Sequence, residues 1–224
     1  MIGSHHSNRF RIVLRDIGEK MDVMEGLYLF PNYFDTQRVK LTSAIMGELF
    51  HNLKVRESKS VETFLRRIEN LPLSMKKADS SVRWACRLLE ENGESGIRTL
   101  MERLTKQDKK EYLASLSCCV WNYMLSEFLK EKENSAVEIL LKDNTLGTIV
   151  LPKNTSRNET IKSEQTGFTG KFIERNALAE ARVEKAEWRK EGQRFSCTIE
   201  LELPKGSYAT LFLKWLFAME AFRN

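Results

Sequence analysis

A long helical stretch between strand-like ends is the feature that most constrains this fold. Residues 58–131 carry apolar side chains at helical spacing, in three successive stripes. Residues 10–17 before this stretch and residues 195–203 after it are rich in β-branched and large apolar side chains, as strands are. Because terminal strands can share one sheet, we expect an α+β fold in which the helices form a second lobe emerging from that sheet.

Shorter segments have weaker patterns. Gly18 to Glu25 is polar and precedes Gly26, a common helix stop, so we expect a short helix there. Residues 152–169 are polar and indicate a loop, while residues 180–188 fit either a strand or a helix. Further strands are expected at residues 27–34, 137–141 and 148–151, and an apolar helix from Tyr208 to Phe222.

Two patterns predict which side chains are buried. Residues 195–203 alternate between apolar and polar, which predicts a half-exposed antiparallel strand that buries Cys197, Ile199, Leu201 and Leu203. The third helical stripe predicts a packing face made of Leu113, Leu116, Val120, Tyr123, Met124, Phe128 and Leu129.

Composition is that of an ordinary globular chain, with 42% hydrophobic and 30% charged residues. No segment approaches the roughly 20 apolar residues that cross a bilayer, and the N-terminus has no apolar signal core. We therefore expect a cytoplasmic protein without membrane contact. The four cysteines form no C-x-x-C pair, and with three histidines they give no zinc spacing. We expect reduced, buried thiols and no metal site.

Positive charge is concentrated between Arg38 and Arg87. Eleven basic and five acidic residues give this segment a net charge of +6, more than the +5 of the whole chain. A polyanionic partner is one explanation. The alternative, which charge alone favours, is a solvated helical surface.

Three short segments combine amide, aromatic and basic groups. On a strand, Asn8 and Phe10 share a face, and an amide beside an aromatic ring suits a nucleobase, which stacks on the ring. An edge asparagine and a core phenylalanine are the alternative. Asn32, Gln37 and Arg38 fall at a strand-to-helix junction, where helix amide groups favour phosphate; a capped turn is the alternative.

The third segment, residues 203–210, places a turn at Gly206 and Ser207 before a helix that starts near Tyr208. On its own, this tyrosine fits the protein core as well as a binding site.

Together the three segments resemble, in order and spacing, the signature segments of the TruD family of tRNA pseudouridine synthases. The family opens a strand with N-x-F and F-x-I-x-L-R-x-I, as residues 8–17 do here. Its P-N-Y-F-G-x-Q-R-F-G segment is similar to residues 31–40, and its L-P-x-G-S-[FY]-A-T segment is similar to residues 203–210. The resemblance extends over the whole chain.

The resemblance implies isomerisation of uridine to pseudouridine in the tRNA D arm, on a base flipped from its stack, without cofactor or metal. Asn8 would position the nucleophilic aspartate, Phe10 would stack on the uracil, and Tyr208 would be the second aromatic of the pocket. Asn32, Gln37 and Arg38 would contact RNA, so tRNA is the expected partner. Residues 1–41 and 168–224 would form part of the catalytic domain, and residues 42–167 its inserted, mainly helical domain.

The sequence also departs from the family. The family nucleophile lies in a G-x-K-D-x-x-A-x-T-x-Q segment upstream of N-x-F, and Lys142-Asp143 lacks that context. We therefore expect no catalytic aspartate in these residues and no activity from the isolated chain. Asp35, Val39 and Lys40 stand where the family has Gly, Phe and Gly, and Ser7 stands where glycine is usual.

Three hypotheses stay open. The chain is half of a split enzyme, completed by a separate chain that supplies the N-terminal catalytic half. Or it is a catalytically inactive RNA-binding remnant of the family, or a truncated gene product. Or it is a helical protein-interaction module whose motifs occur by chance.

Overall fold

The computed structural model describes residues 6–35, 41–54, 60–70, 80–93, 95–132, 137–140, 148–151, 160–163 and 173–221. Its helices are α1 (Leu41–Lys54), α2 (Ser60–Glu69), α3 (Ser80–Asn92), α4 (Ser95–Arg103), α5 (Lys106–Lys132) and α6 (Ala209–Ala221). Its strands are β1 (Ser7–Ile17), β2 (Gly26–Pro31), β3 (Val137–Leu140), β4 (Thr148–Leu151), β5 (Thr160–Ser163), β6 (Ile173–Asn176), β7 (Leu178–Glu191) and β8 (Arg194–Pro204).

The terminal strands share one sheet, which confirms the α+β prediction. Its order is β1-β8-β7-β2, and every neighbouring pair is antiparallel. Residues 180–188, which fitted strand or helix, lie in β7. Buried Ala181 and Val183 alternate there with exposed Glu180 and Arg182, a period of two that suits a half-buried sheet.

The sheet packs one face against α6. Cys197, Ile199, Leu201 and Leu203 of β8 are at most 1% exposed, which confirms the predicted buried face. Phe212 of α6 meets the ring of Phe30 edge to face, with centroids 5.4 Å apart.

The helices have a core of their own. Met46, Leu49, Phe64, Leu89 and Leu100, from α1 to α4, are at most 2% exposed. Helix α5 connects the two cores, because its Tyr112 packs in the helical core while its Trp121 and Leu125 pack in the sheet core. At about 1.5 Å per residue, α5 is ~40 Å long, which is enough to link them.

Glycine brings α1 and α5 into close contact. A Cβ added at Gly47 would lie 2.4 Å from the carbonyl oxygen of Tyr112, so the two backbones approach closer than any side chain allows.

Three sequence-based expectations were wrong. Gly18 to Glu25 contains bends and no helix, since only its Met21 and Val23 are partly buried and they are two positions apart. Residues 152–169 contain β5, although the rest of that segment lies outside the described residues. Tyr123 is 66% exposed, because α5 turns Trp121 and Leu125 inward instead.

The four cysteines differ in exposure. Cys118 and Cys197 are buried as predicted, whereas Cys86 and Cys119 are half-buried, and their reduced state stays a prediction. In the described parts of the chain, no helix combines the length and the apolarity that crossing a membrane requires.

Candidate functional site

The three segments that resemble the family meet at one end of the sheet. Antiparallel pairing places the start of β1 at Ser7, the end of β8 at Pro204, the start of β7 at Leu178 and the end of β2 at Pro31 on the same side. Strands β1 and β2 form the two edges, so their ends are about 14 Å apart, three strand spacings.

Asn8 and Phe10 lie on the sheet face that α6 covers. They pair with Leu203 and Leu201, and both are half-buried. Phe10 packs against the sheet core, so this position suits a core ring as well as a ring partly open to a ligand. Their assigned roles toward aspartate and uracil stay predictions.

A tight turn places Tyr208 at this end of the sheet. The amide of Ser207 donates to the Pro204 carbonyl at 3.1 Å, and Gly206 has φ 87°, which the third position of a type II turn requires. Tyr208 then accepts the first amide bonds of α6 on its carbonyl oxygen. Its ring meets that of Phe34 edge to face, with centroids 6.3 Å apart, so the second and third segments are in contact.

Asn32 holds the second segment in place. Its Nδ2 donates to the Asn176 carbonyl at 3.0 Å, and its backbone amide donates to the Ala177 carbonyl at 2.9 Å. Its own carbonyl accepts from Trp121 Nε1 at 3.0 Å. The side chain is only 9% exposed, and its predicted contact with RNA stays a prediction. Gln37 and Arg38 lie outside the described residues.

Polar residues of α5 complete the support of this segment. The Asn122 amide bonds both backbone groups of Phe34, accepting from its N–H at 2.7 Å and donating to its carbonyl at 2.9 Å. The Tyr33 hydroxyl lies 3.1 Å from Ser126 Oγ, and it also bonds the backbone of Val150 at 3.1 Å. Burial raises the pKa of Tyr33 to about 12.

Asp35 is buried and fully engaged. The hydroxyl of Thr210 donates to its Oδ2, and Lys214 Nζ lies 3.1 Å from its Oδ1. Thr210 and Lys214 are one turn apart on α6, and Asp35 is 2% exposed. A carboxylate held this way ties the second segment to α6 and is closed to a substrate.

Arg175 is the site residue that sequence analysis missed. Its Nη2 donates to Asn32 Oδ1 at 2.5 Å and to the Gly206 carbonyl at 3.0 Å. The guanidinium carbon lies 4.0 Å from the Phe34 ring centroid and 5.7 Å from that of Trp121. Burial lowers the pKa of this guanidinium. No spacing pattern marks a lone arginine in a strand of four residues.

Basic side chains lie exposed on the helices, including Arg66 on α2 and Arg83 and Arg87 on α3. Arg67 pairs with Glu48. The described residues contain no cluster of three His, Cys, Asp or Glu side chains able to hold a metal ion.

No protein-family model matches the sequence, and no curated protein matches it. One solved structure that matches the fold is described as that of a candidate tRNA pseudouridine synthase D (TruD) from Methanosarcina mazei. The match has a TM-score of 0.57 at 17% identity, and it covers 99% of this chain and 71% of that one. The chain therefore has a TruD-like fold.

Proposed function

We propose that the chain binds tRNA and holds a uridine of the D arm at the sheet end, as the uridine-binding part of a pseudouridine synthase. The observation that supports this most is the convergence of the three segments at one sheet end. They are far apart in sequence, so a chance resemblance in each would not place them together. The TruD-like fold agrees with the same proposal.

In this proposal the flipped uracil stacks on Phe10 and is flanked by Tyr208. Each stack contributes roughly 1–3 kcal/mol to holding the base. Asn8, on the same sheet face as Phe10, orients the attacking carboxylate. The helices between residues 42 and 167 contact the tRNA backbone through exposed basic groups such as Arg83 and Arg87.

In this proposal the nucleophile comes from outside these 224 residues. Of the two carboxylates in the three segments, Asp16 lies at the far end of β1 beside Arg194, and both oxygens of Asp35 are engaged by α6. Without an aspartate that reaches the ribose, stacking and positioning groups do not break a glycosidic bond. The 224 residues alone should therefore bind tRNA and leave its uridines unchanged.

A second candidate function is RNA binding without catalysis. The closed environment of Asp35 favours it equally, because a carboxylate held in this way cannot reach a substrate. The two candidates differ in whether an aspartate from outside these residues completes the site.

One experiment separates them. Unmodified tRNA is incubated with the chain alone and with the chain plus an N-terminal TruD fragment that carries the G-x-K-D segment, and pseudouridine is mapped chemically. We expect no product from the chain alone and product in the D arm from the mixture. Product from the chain alone would overturn the assignment of the nucleophile, and no product from the mixture favours the non-catalytic function.

A further inference from the structure

Arg175 is a half-buried cation whose described partners are all uncharged. Two carbonyl-type oxygens accept its hydrogen bonds, Asn32 Oδ1 and the Gly206 carbonyl, and its guanidinium carbon lies over the rings of Phe34 and Trp121. Removing a charge from water without a counter-charge is costly. The one carboxylate of the neighbouring segment, Asp35, is engaged by Thr210 and Lys214 instead.

The hydrogen-bonding capacity of this guanidinium is only partly used. Of its five N–H groups, both bonds within the described part of the molecule come from Nη2. Nε and Nη1 therefore keep three donors for a ligand. Each of these can donate to a single phosphate oxygen, because both edges of a guanidinium that bind two oxygens at once include Nη2.

The position of Arg175 indicates which phosphate. The Phe34 ring contacts both groups, since its centroid lies 4.0 Å from the guanidinium carbon and 6.3 Å from the Tyr208 ring centroid. A cation beside an aromatic pair suits a nucleotide, which offers a phosphate next to a flat base. We propose that Arg175 binds one phosphate of the RNA, adjacent to the uridine that lies against Tyr208; this rests on the proposed function.

Asn32 fits this role because it holds Arg175 with a neutral amide. An aspartate at this position would neutralise the guanidinium and compete with the phosphate. The chain thus fixes the arginine in place and leaves its charge available to RNA.

The first test uses Arg175→Gln and Arg175→Lys. The matched control is Arg189→Gln, since Arg189 is exposed near the far end of β7 and lies outside the helices. Binding of an unmodified tRNA transcript is measured between about 50 and 200 mM salt. We expect Arg175→Gln to weaken binding about 10-fold and to lower the slope of log affinity against log salt by roughly 0.7–0.9, one phosphate contact. Arg175→Lys keeps the slope, and Arg189→Gln behaves as the parent.

The second test compares two small probes on the parent chain, and it can overturn the inference even if the variants fail to fold. Binding of uridine 5′-monophosphate and of uridine is followed through tryptophan fluorescence, to which Trp121 contributes. We expect several-fold tighter binding of the monophosphate, with the difference lost in folded Arg175→Gln. Equal binding of the two probes, or an unchanged salt slope in folded Arg175→Gln, would overturn the inference. A parent chain that binds the monophosphate but no tRNA contradicts the proposed function instead.

Discussion

Asp35 Oδ1 lies 3.1 Å from Lys214 Nζ, and this pair ties the loop after β2 to helix α6. The Asp35 side chain is 2% exposed and the Lys214 side chain is 36% exposed, so the carboxylate is buried while the lysine is partly in contact with water. The family motif has glycine where this chain has Asp35, and glycine has no carboxylate that could form this buried ion pair.

Lys214→Met should destabilise the protein more than the double variant Asp35→Asn with Lys214→Met. The single change leaves a buried carboxylate without its cation, which costs about 1–3 kcal/mol after allowance for the exposed side of Lys214. The double change removes both charges. Urea unfolding measures the free energy of each variant. Lys185→Met, which breaks the exposed pair with Glu187, is the control and should leave the midpoint unchanged. Equal stability of the single and double variants would show that the pair contributes nothing.

Phe10→Ala should reduce activity more than tRNA affinity once the missing aspartate is supplied. Most affinity comes from phosphate contacts over the lobe, whereas Phe10 meets one base, whose stack is worth roughly 1–3 kcal/mol, or about 10- to 100-fold in rate. Tyr208→Phe should have a mild effect, because the family motif allows either ring. Single-turnover rates and melting temperatures are measured on the same samples. If the folded fraction of Phe10→Ala keeps the parent rate, Phe10 is only a core residue.

Tyr33 should make stability depend on pH in the alkaline range. Its folded pKa, raised by burial to about 12, exceeds the ordinary value of 10.0, so its contribution is complete below pH 10 and is lost as pH rises to 12. The loss is about 2–3 kcal/mol. The unfolding free energy of Tyr33→Phe should therefore fall less steeply than that of the parent from pH 10 to 12. Burial also raises the thiol pKa values of Cys119 and Cys197. The parent and Tyr33→Phe both contain these thiols, so they do not contribute to the difference between the two curves. Parallel curves would contradict a buried neutral Tyr33.

Gly47→Ala should destabilise the helical core, although alanine favours helices. The added methyl group meets the Tyr112 carbonyl at 2.4 Å, and overpacking of this kind costs about 1–3 kcal/mol, against a gain of about 1 kcal/mol in helix propensity. Gly18→Ala is the control, since a Cβ there meets nothing within 4 Å. Thermal unfolding of the two variants tests the contact, and a stabilised Gly47→Ala would show that α1 and α5 separate easily.

Patterns of apolar residues in the sequence predicted the fold well where the buried side chains of an element recur at one regular spacing. The alternation of Cys197 to Leu203 identified β8 because a strand that covers one core must alternate. The stripe on α5 failed at Tyr123 because this helix packs against two cores and turns polar Asn122 and Ser126 inward. Those polar side chains bond the second segment, and such long-range pairing has no local signal.

The site was predictable only in part for the same reason. Asn8, Phe10 and Tyr208 were proposed as site residues through a resemblance that recognises short segments, and their roles stay predictions. Arg175 and the pair of Asp35 with Lys214 depend on how distant segments meet, which no spacing along the chain reveals.

The most direct test of the account is photocrosslinking of a tRNA that carries 4-thiouridine at single positions of the D arm, followed by mass spectrometry of the linked peptides. If the sheet end is the uridine site, crosslinks should fall on the peptides that contain Phe10 or Tyr208, and Arg189→Gln should leave them unchanged. Crosslinks confined to the helices, with none on these two peptides, would contradict the account.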